Sequence, residues 1–207
     1  MCGIVGYIGN RKAIPVIIDG LKRLEYRGYD SAGLVALNGN QYRVFKNKGR
    51  VADLEKIVDS DFDGKIGIGH SRWATHGKPS YKNSHPHWSC DKKIFLVHNG
   101  IIENYKILKS KLQKKGHKFN SDTDTEVVAH LIEDILNSQK GRITFEEAVR
   151  LALKTIQGSY AFVIVNLDEP DKLIVARNSS PLLIGIGDTS KETAQEYFVA
   201  SDASALL

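Results

Sequence analysis

Little in this 207-residue chain could hold it together from outside. Two cysteines are too few for a disulfide framework, which excludes the small stapled secreted scaffolds and points to a reducing, cytoplasmic compartment. No apolar run approaches the roughly 20 residues that a membrane-spanning helix needs. The first apolar run, Ile4 to Ile8, is short and follows no basic leader, so a signal peptide is not expected. There is no internal repeat and no low-complexity segment. Aromatics are only 8%, the basic residues are scattered and no nucleic-acid module is recognisable, so a net charge of +5 does not argue for a nucleic-acid partner. Paired metal-ligand spacings such as Cys-x-x-Cys or His-x-x-x-His are missing too. That argues against reading His70, His76, His85, His87 and His98, with Cys90, as a metal-binding module. What remains is ordinary globular usage, with 42% hydrophobic and 26% charged residues, enough for one large domain or two small ones.

Pattern and turn chemistry predict mixed α and β elements. Ile4 to Ile8 reads as a strand. Ile14, Ile17, Ile18, Leu21 and Leu24 sit at helical spacing, with Pro15 tolerated in the first turn. Gly33 to Leu37 and Gln41 to Lys46 form a hairpin pattern around Asn38-Gly39-Asn40. Val51 to Val58 reads as a short helix, and Ile66 to Ser71 and Ile94 to His98 as strands. Helices are expected from Tyr105 to Lys115, from the capping box Thr123 to Glu126 on to Leu136, and from the box Thr144 to Glu147 on to Ile156. Strands return at Tyr160 to Val165, Leu173 to Ala176, Leu182 to Ile186 and Tyr197 to Ala200. Runs such as Phe95-Leu96-Val97 are continuously apolar, as in strands covered on both faces. Yet the strands cluster in hairpin-like groups. Together these features predict sheet packed on sheet, largely antiparallel, with helices outside. Ser201 to Leu207 reads as a cap and the start of a helix, so a domain excised from a longer chain is expected.

Cys2 carries the most chemistry. Methionine aminopeptidase removes Met1 when residue 2 is small, which leaves a thiol beside its own α-amine. That amine has a pKa of about 7.7–8 and serves as a base near neutral pH without a separate histidine. The plain alternative is a small buried residue at the head of a strand. Five ordered blocks bear on the choice: Cys2-Gly3-Ile4-Val5-Gly6, Leu24 to Gly33, His70 to Gly77, Val97 to Asn104 and Ser121 to Glu126. Together they resemble the class II glutamine amidotransferases, which are Ntn hydrolases, and the resemblance runs from Cys2 to about Leu207. It implies an α+β, four-layer αββα sandwich of two largely antiparallel sheets, and a glutaminase domain over residues 2–207.

The resemblance also implies roles. Cys2 is the nucleophile. Asn99 and Gly100 offer the oxyanion a side-chain and a backbone N–H. Arg72 pairs with the substrate carboxylate and Asp124 with its ammonium. Trp73 belongs to a loop closing over glutamine, Thr75 and His76 add polar contacts, and Arg27 supports the site. Read without the family, Asn99-Gly100 is a turn dipeptide, Arg72 a solvated side chain, Trp73 a core aromatic and Asp124 a helix-start carboxylate. Within the class, Tyr26-Arg27-Gly28-Tyr29-Asp30-Ser31 is similar to the branch that passes ammonia to fructose 6-phosphate. An amidophosphoribosyltransferase typically has Gln in place of the second Tyr, and remains the alternative. No metal or organic cofactor is implied. The implied partners are L-glutamine and C-terminal sugar-isomerase domains of the same polypeptide, with no membrane and no nucleic acid; the domain alone would be a monomer and the full-length enzyme a homodimer.

Overall fold

Side chains alternate between the two faces of each central strand, and that alternation builds three cores. The computed structural model describes residues 2–73, 77–187 and 195–206. Its first sheet has the order β3-β2-β4-β1-β10-β9, formed by β1 (Gly3–Ile8), β2 (Ser31–Asn38), β3 (Gln41–Lys48), β4 (Ile66–Arg72), β9 (Leu183–Ile186) and β10 (Tyr197–Ala200). The second sheet has the order β5-β6-β7-β8, formed by β5 (His87–Trp88), β6 (Ile94–Ile102), β7 (Gly158–Asn166) and β8 (Glu169–Asn178). Neighbouring strands pair antiparallel throughout both sheets.

Between the sheets lies a core of Ile4, Val35, Ile66, Ile68, Phe95, Val97, Val163 and Val199. The opposite face of the first sheet, with Val5, Tyr7, Leu34 and Ala36, packs on helices α1 (Ala13–Leu24) and α2 (Val51–Glu55). The outer face of the second sheet, with Leu96, Ile102, Phe162 and Ile164, is covered by α3 (Tyr105–Lys114), α4 (Glu126–Gln139) and α5 (Phe145–Thr155). The result is the four-layer αββα sandwich that the apolar strands demanded. All five apolar residues that set the period of α1 are buried, each worth about 1.5–3 kcal/mol of transfer free energy. Among the described residues, no helix is long and apolar enough to cross a membrane.

Three local expectations change. Strand β6 does not stop at His98 but runs on to Ile102, so Asn99-Gly100 lies inside a ladder opposite Ala161 and Tyr160 and is not a turn. The box at Thr123 to Glu126 does not form. Helix α4 begins at Glu126, with Thr125 at its cap position and no side-chain cap. The Glu126 carboxylate instead accepts hydrogen bonds from Asn120 N (2.8 Å), Ser121 N (2.7 Å) and Ser121 Oγ (2.7 Å), which draw it to the preceding loop. By contrast Thr144 does cap α5, its Oγ1 accepting from Glu147 N at 3.2 Å. The third is β5, a two-residue strand between Ser71 and Ile94, where the sequence predicts no element.

Candidate active site

Antiparallel pairing brings the head of β1 to the end of β4, with Gly3 opposite Ser71, so Cys2 emerges beside Arg72 and Trp73. The period of two then determines which side chains enter the space between the sheets. Along β4, His70 and Arg72 share the face of Ile66 and Ile68. Along β6, Asn99 shares the face of Phe95 and Val97. One end of the inter-sheet core is therefore polar, and it opens into a cavity of about 460 Å³ lined by Cys2, Arg72, Trp73, Asn99, Gly100 and Asp124.

The Cys2 sulfur receives the Trp73 backbone N–H at 3.1 Å and lies 3.4 Å from the Trp73 carbonyl oxygen. Burial raises the Cys2 thiol pKa, while the Trp73 N–H and the Arg72 guanidinium pull it down. Asn99 Nδ2 donates to the Cys2 carbonyl oxygen at 3.1 Å. Its Oδ1 can only accept, so His70 Nε2 donates to it at 3.0 Å, and this bond sets which way the amide points. Burial lowers His70 to about 3, so the ring stays neutral. Gly100 has φ +128, and a Cβ there would stand 2.1 Å from the Ser159 carbonyl oxygen; only glycine fits.

Arg72 is buried and donates through Nη2 to the Gly77 carbonyl oxygen at 2.9 Å. Burial lowers its pKa, opposed by Asp30, Cys2 and Asp124. Asp124 is buried ahead of α4, not in its first turn, and Oδ2 accepts the Ile102 N–H at 2.8 Å. The plain readings of both residues, a solvated arginine and a helix-start carboxylate, therefore do not describe their surroundings. Nor is Trp73 a core aromatic. It is 56% exposed, and its indole lies on Gly28, where a Cβ would come within 2.1 Å of Cε3. Thr75 and His76 lie outside the described residues.

Sequence reasoning assigned Arg27 a supporting place and left His70, His85, His87 and His98 without roles. Arg27 Nη1 donates to the Ser201 carbonyl oxygen at 3.0 Å, and Ser201 bonds to the backbone of Ile4 in both directions, so the guanidinium ties β10 to the strand carrying Cys2. His85 Nε2 and His98 Nδ1 meet Thr125 Oγ1 at 3.1 and 2.9 Å, and His87 Nε2 meets Thr123 Oγ1 at 3.0 Å. Burial holds His85 and His87 well below the usual imidazole range. The three rings brace the segment carrying Asp124, and those of His85 and His87 do so as neutral imidazoles. The alternation that places His70 beside Arg72 was readable in β4; the other contacts come from tertiary pairing.

A half-buried thiol beside an amide donor, a glycine in the left-handed region, and an opposite-charge pair suit acyl transfer from a small zwitterion. Comparison with known proteins agrees: residues 70–207, more than half of the chain, match the glutamine amidotransferase domain family, and the chain belongs to it. Its whole length is 58% identical to a glutamine–fructose-6-phosphate aminotransferase (isomerizing) of Thermococcus kodakarensis and 52% identical to one of Bacteroides thetaiotaomicron, spanning 33% of each. The fold matches the glutamine phosphoribosylpyrophosphate amidotransferase of B. subtilis with a TM-score of 0.80 at 32% identity, over 99% of this chain and 43% of that one. The sandwich is thus of the Ntn-hydrolase type.

Proposed function

We propose that this chain hydrolyses L-glutamine to glutamate and ammonia, with Cys2 as nucleophile. The observation that carries the reading is convergence: Cys2, Arg72, Asn99, Gly100 and Asp124, spread over the first 124 residues, line one cavity. Once Met1 is removed, the Cys2 α-amine takes the thiol proton and the sulfur attacks the side-chain amide carbon. Negative charge gathers on the amide oxygen, where Asn99 Nδ2 and the Gly100 N–H stabilise it. Collapse of the tetrahedral intermediate breaks the C–N bond. The α-ammonium returns its proton to the departing nitrogen, which leaves as ammonia. Water then attacks the thioester, its proton passing through the same amine, and glutamate and the free thiol are restored. Arg72 holds the substrate carboxylate in a planar fork, and Asp124 Oδ1 takes the ammonium while Oδ2 stays on Ile102. Trp73 closes over the bound substrate and keeps water out until ammonia has left, and Thr75 and His76 add polar contacts to the substrate.

The ammonia would serve to convert fructose 6-phosphate to glucosamine 6-phosphate on sugar-isomerase domains outside these residues. Identities of 52–58% to relatives named for that sugar, against 32% to the phosphoribosylpyrophosphate amidotransferase of similar fold, favour this acceptor. Residues 2–207 then act as one glutaminase domain, monomeric alone and homodimeric as part of the complete enzyme. Two free cysteines fit a reducing cytoplasm. An electrophilic glutamine analogue tests the assignment: mapping by mass should find a single adduct, on Cys2. An adduct on Cys90, or hydrolysis by Cys2→Ala, would overturn it.

A further inference from the structure

Four metal-ligating side chains outside the cavity converge on one point. Cys90 follows β5 in the turn to β6, His117 follows α3, and His130 and Glu133 stand one turn apart on α4. Their donor atoms all lie within 4.8 Å of one another. Cys90 Sγ is 3.7 Å from His117 Nδ1 and 3.5 Å from His130 Nδ1. Glu133 Oε2 is 3.0 Å from His117 Nδ1 and 3.5 Å from His130 Nδ1. A tetrahedral metal with bonds of 2.0–2.3 Å separates its ligands by about 3.3–3.8 Å, so these four atoms already stand close to the corners of such a site.

Their surroundings point the same way. Each imidazole turns Nδ1 inward and its far nitrogen toward a carboxylate: His130 Nε2 is 3.5 Å from Glu126 Oε1, and His117 Nε2 is 3.7 Å from Asp134 Oδ1. A carboxylate behind the distal nitrogen is what orients histidines that bind metal. The Lys118 N–H points at the Cys90 sulfur at 3.4 Å, as suits a thiolate. Glu133 is itself held by the N–H groups of Cys90 (3.1 Å) and Asp91 (2.9 Å). An ion pair of His130 with Glu126 and Glu133 would explain three of these residues. It would not place a thiol at ligand distance from two imidazole nitrogens.

We propose that Cys90, His117, His130 and Glu133 form a four-coordinate site for a divalent transition metal of the zinc class. A thiolate, a carboxylate and two neutral imidazoles sum to −2 and neutralise the dication; the thiol proton, and any proton that the imidazoles carry beyond the neutral form, go to solvent on binding. With four protein ligands the coordination is closed, so the metal's role is structural, pinning the β5–β6 turn and the end of α3 to α4. The sequence concealed the set because only His130 and Glu133 are near in the chain.

Cobalt(II) titration of the metal-stripped, reduced chain reads the site directly. One equivalent should bind, with the intense visible bands of tetrahedral cobalt and a thiolate-to-cobalt charge-transfer band, and zinc should displace it. Cys2→Ala must keep that band and Cys90→Ser must lose it. Glu126→Gln should weaken affinity by about 10–100-fold, as expected for a residue acting through His130. Zinc at about 100 times its dissociation constant should raise the melting midpoint of the unmodified chain by about 5–10 °C, a readout that needs no variant to fold. Failure to saturate at one equivalent, a spectrum that is not tetrahedral, or a charge-transfer band surviving in Cys90→Ser would overturn the site.

Discussion

The two cysteines of this chain sit among histidines, and their neighbours give them opposite chemistry. Around Cys2 stand the backbone N–H and carbonyl of Trp73, an asparagine amide and a guanidinium. The histidines below it, His70, His85 and His87, face amides, hydroxyls and one another, so burial keeps them neutral. Around Cys90 the histidines face carboxylates. Burial alone would lower His130, but Glu126 and Glu133 outweigh it and raise the pKa above the ordinary imidazole value. A thiol meant to attack needs donors for the charge that develops on its substrate. A thiol meant to hold a cation needs other anions and lone pairs beside it. The comparison shows that a count of histidines says little until the atoms facing each ring are known.

The sharpest way to break this contrast is Cys2→Ala. We expect glutamate release to fall by about 10⁴-fold or more, since removing a nucleophile leaves only binding and the oxyanion donors. Asn99→Ala comes next, with kcat lower by about 10²–10³-fold and KM nearly unchanged, because its amide is needed mainly in the transition state. Steady-state kinetics separate this from misfolding; a rise in KM alone would reassign Asn99 to substrate binding. Asp124→Asn should raise KM by about 10–100-fold while keeping an acceptor for the Ile102 N–H. An unchanged KM would make Asp124 a purely structural residue.

The smallest effect tests the neutral histidines. His70, His85 and His87 have folded pKa values below the unfolded 6.5, so between those values the unfolded chain binds more protons. Their contribution is fully present above about pH 6.5 and is lost as the pH falls toward the folded values, about 3 for His70. Each costs up to about 1.4 kcal/mol per pH unit within that window. Urea unfolding at several pH values should show the decline, shallower when His87 is replaced by Gln. A flat profile between pH 6.5 and 5 would contradict the neutral assignment.

Much of this was legible in the sequence where the signal is local. The hairpin closes on Gly39 and Asn40 with Asn38 opposite Gln41, as its turn residues require. Helix α1 follows its apolar period, and Thr144 caps α5. Local signals misled wherever a distant partner outbid them. Asn99-Gly100 has turn chemistry but continues a strand, because the Asn99 amide is held by Cys2 and His70 and Gly100 passes close to Ser159. Glu126 abandons its cap for the Asn120–Ser121 backbone. Strand β5, two residues long, has no period to read, and the Cys90 cluster draws on three separated segments. The candidate site residues were reached through the ordered blocks; for those described, the geometry adds the contacts that hold them, above all the bond from His70 to Asn99.

Whether the Cys2 α-amine is the base is tested most directly by measuring glutamate release from two matched preparations, one with Met1 removed and one retaining it, at equal fold content by circular dichroism. The α-amine mechanism requires hydrolysis from the first and none from the second, whose Cys2 nitrogen is an amide and cannot accept the thiol proton. Equal rates from the two would contradict it.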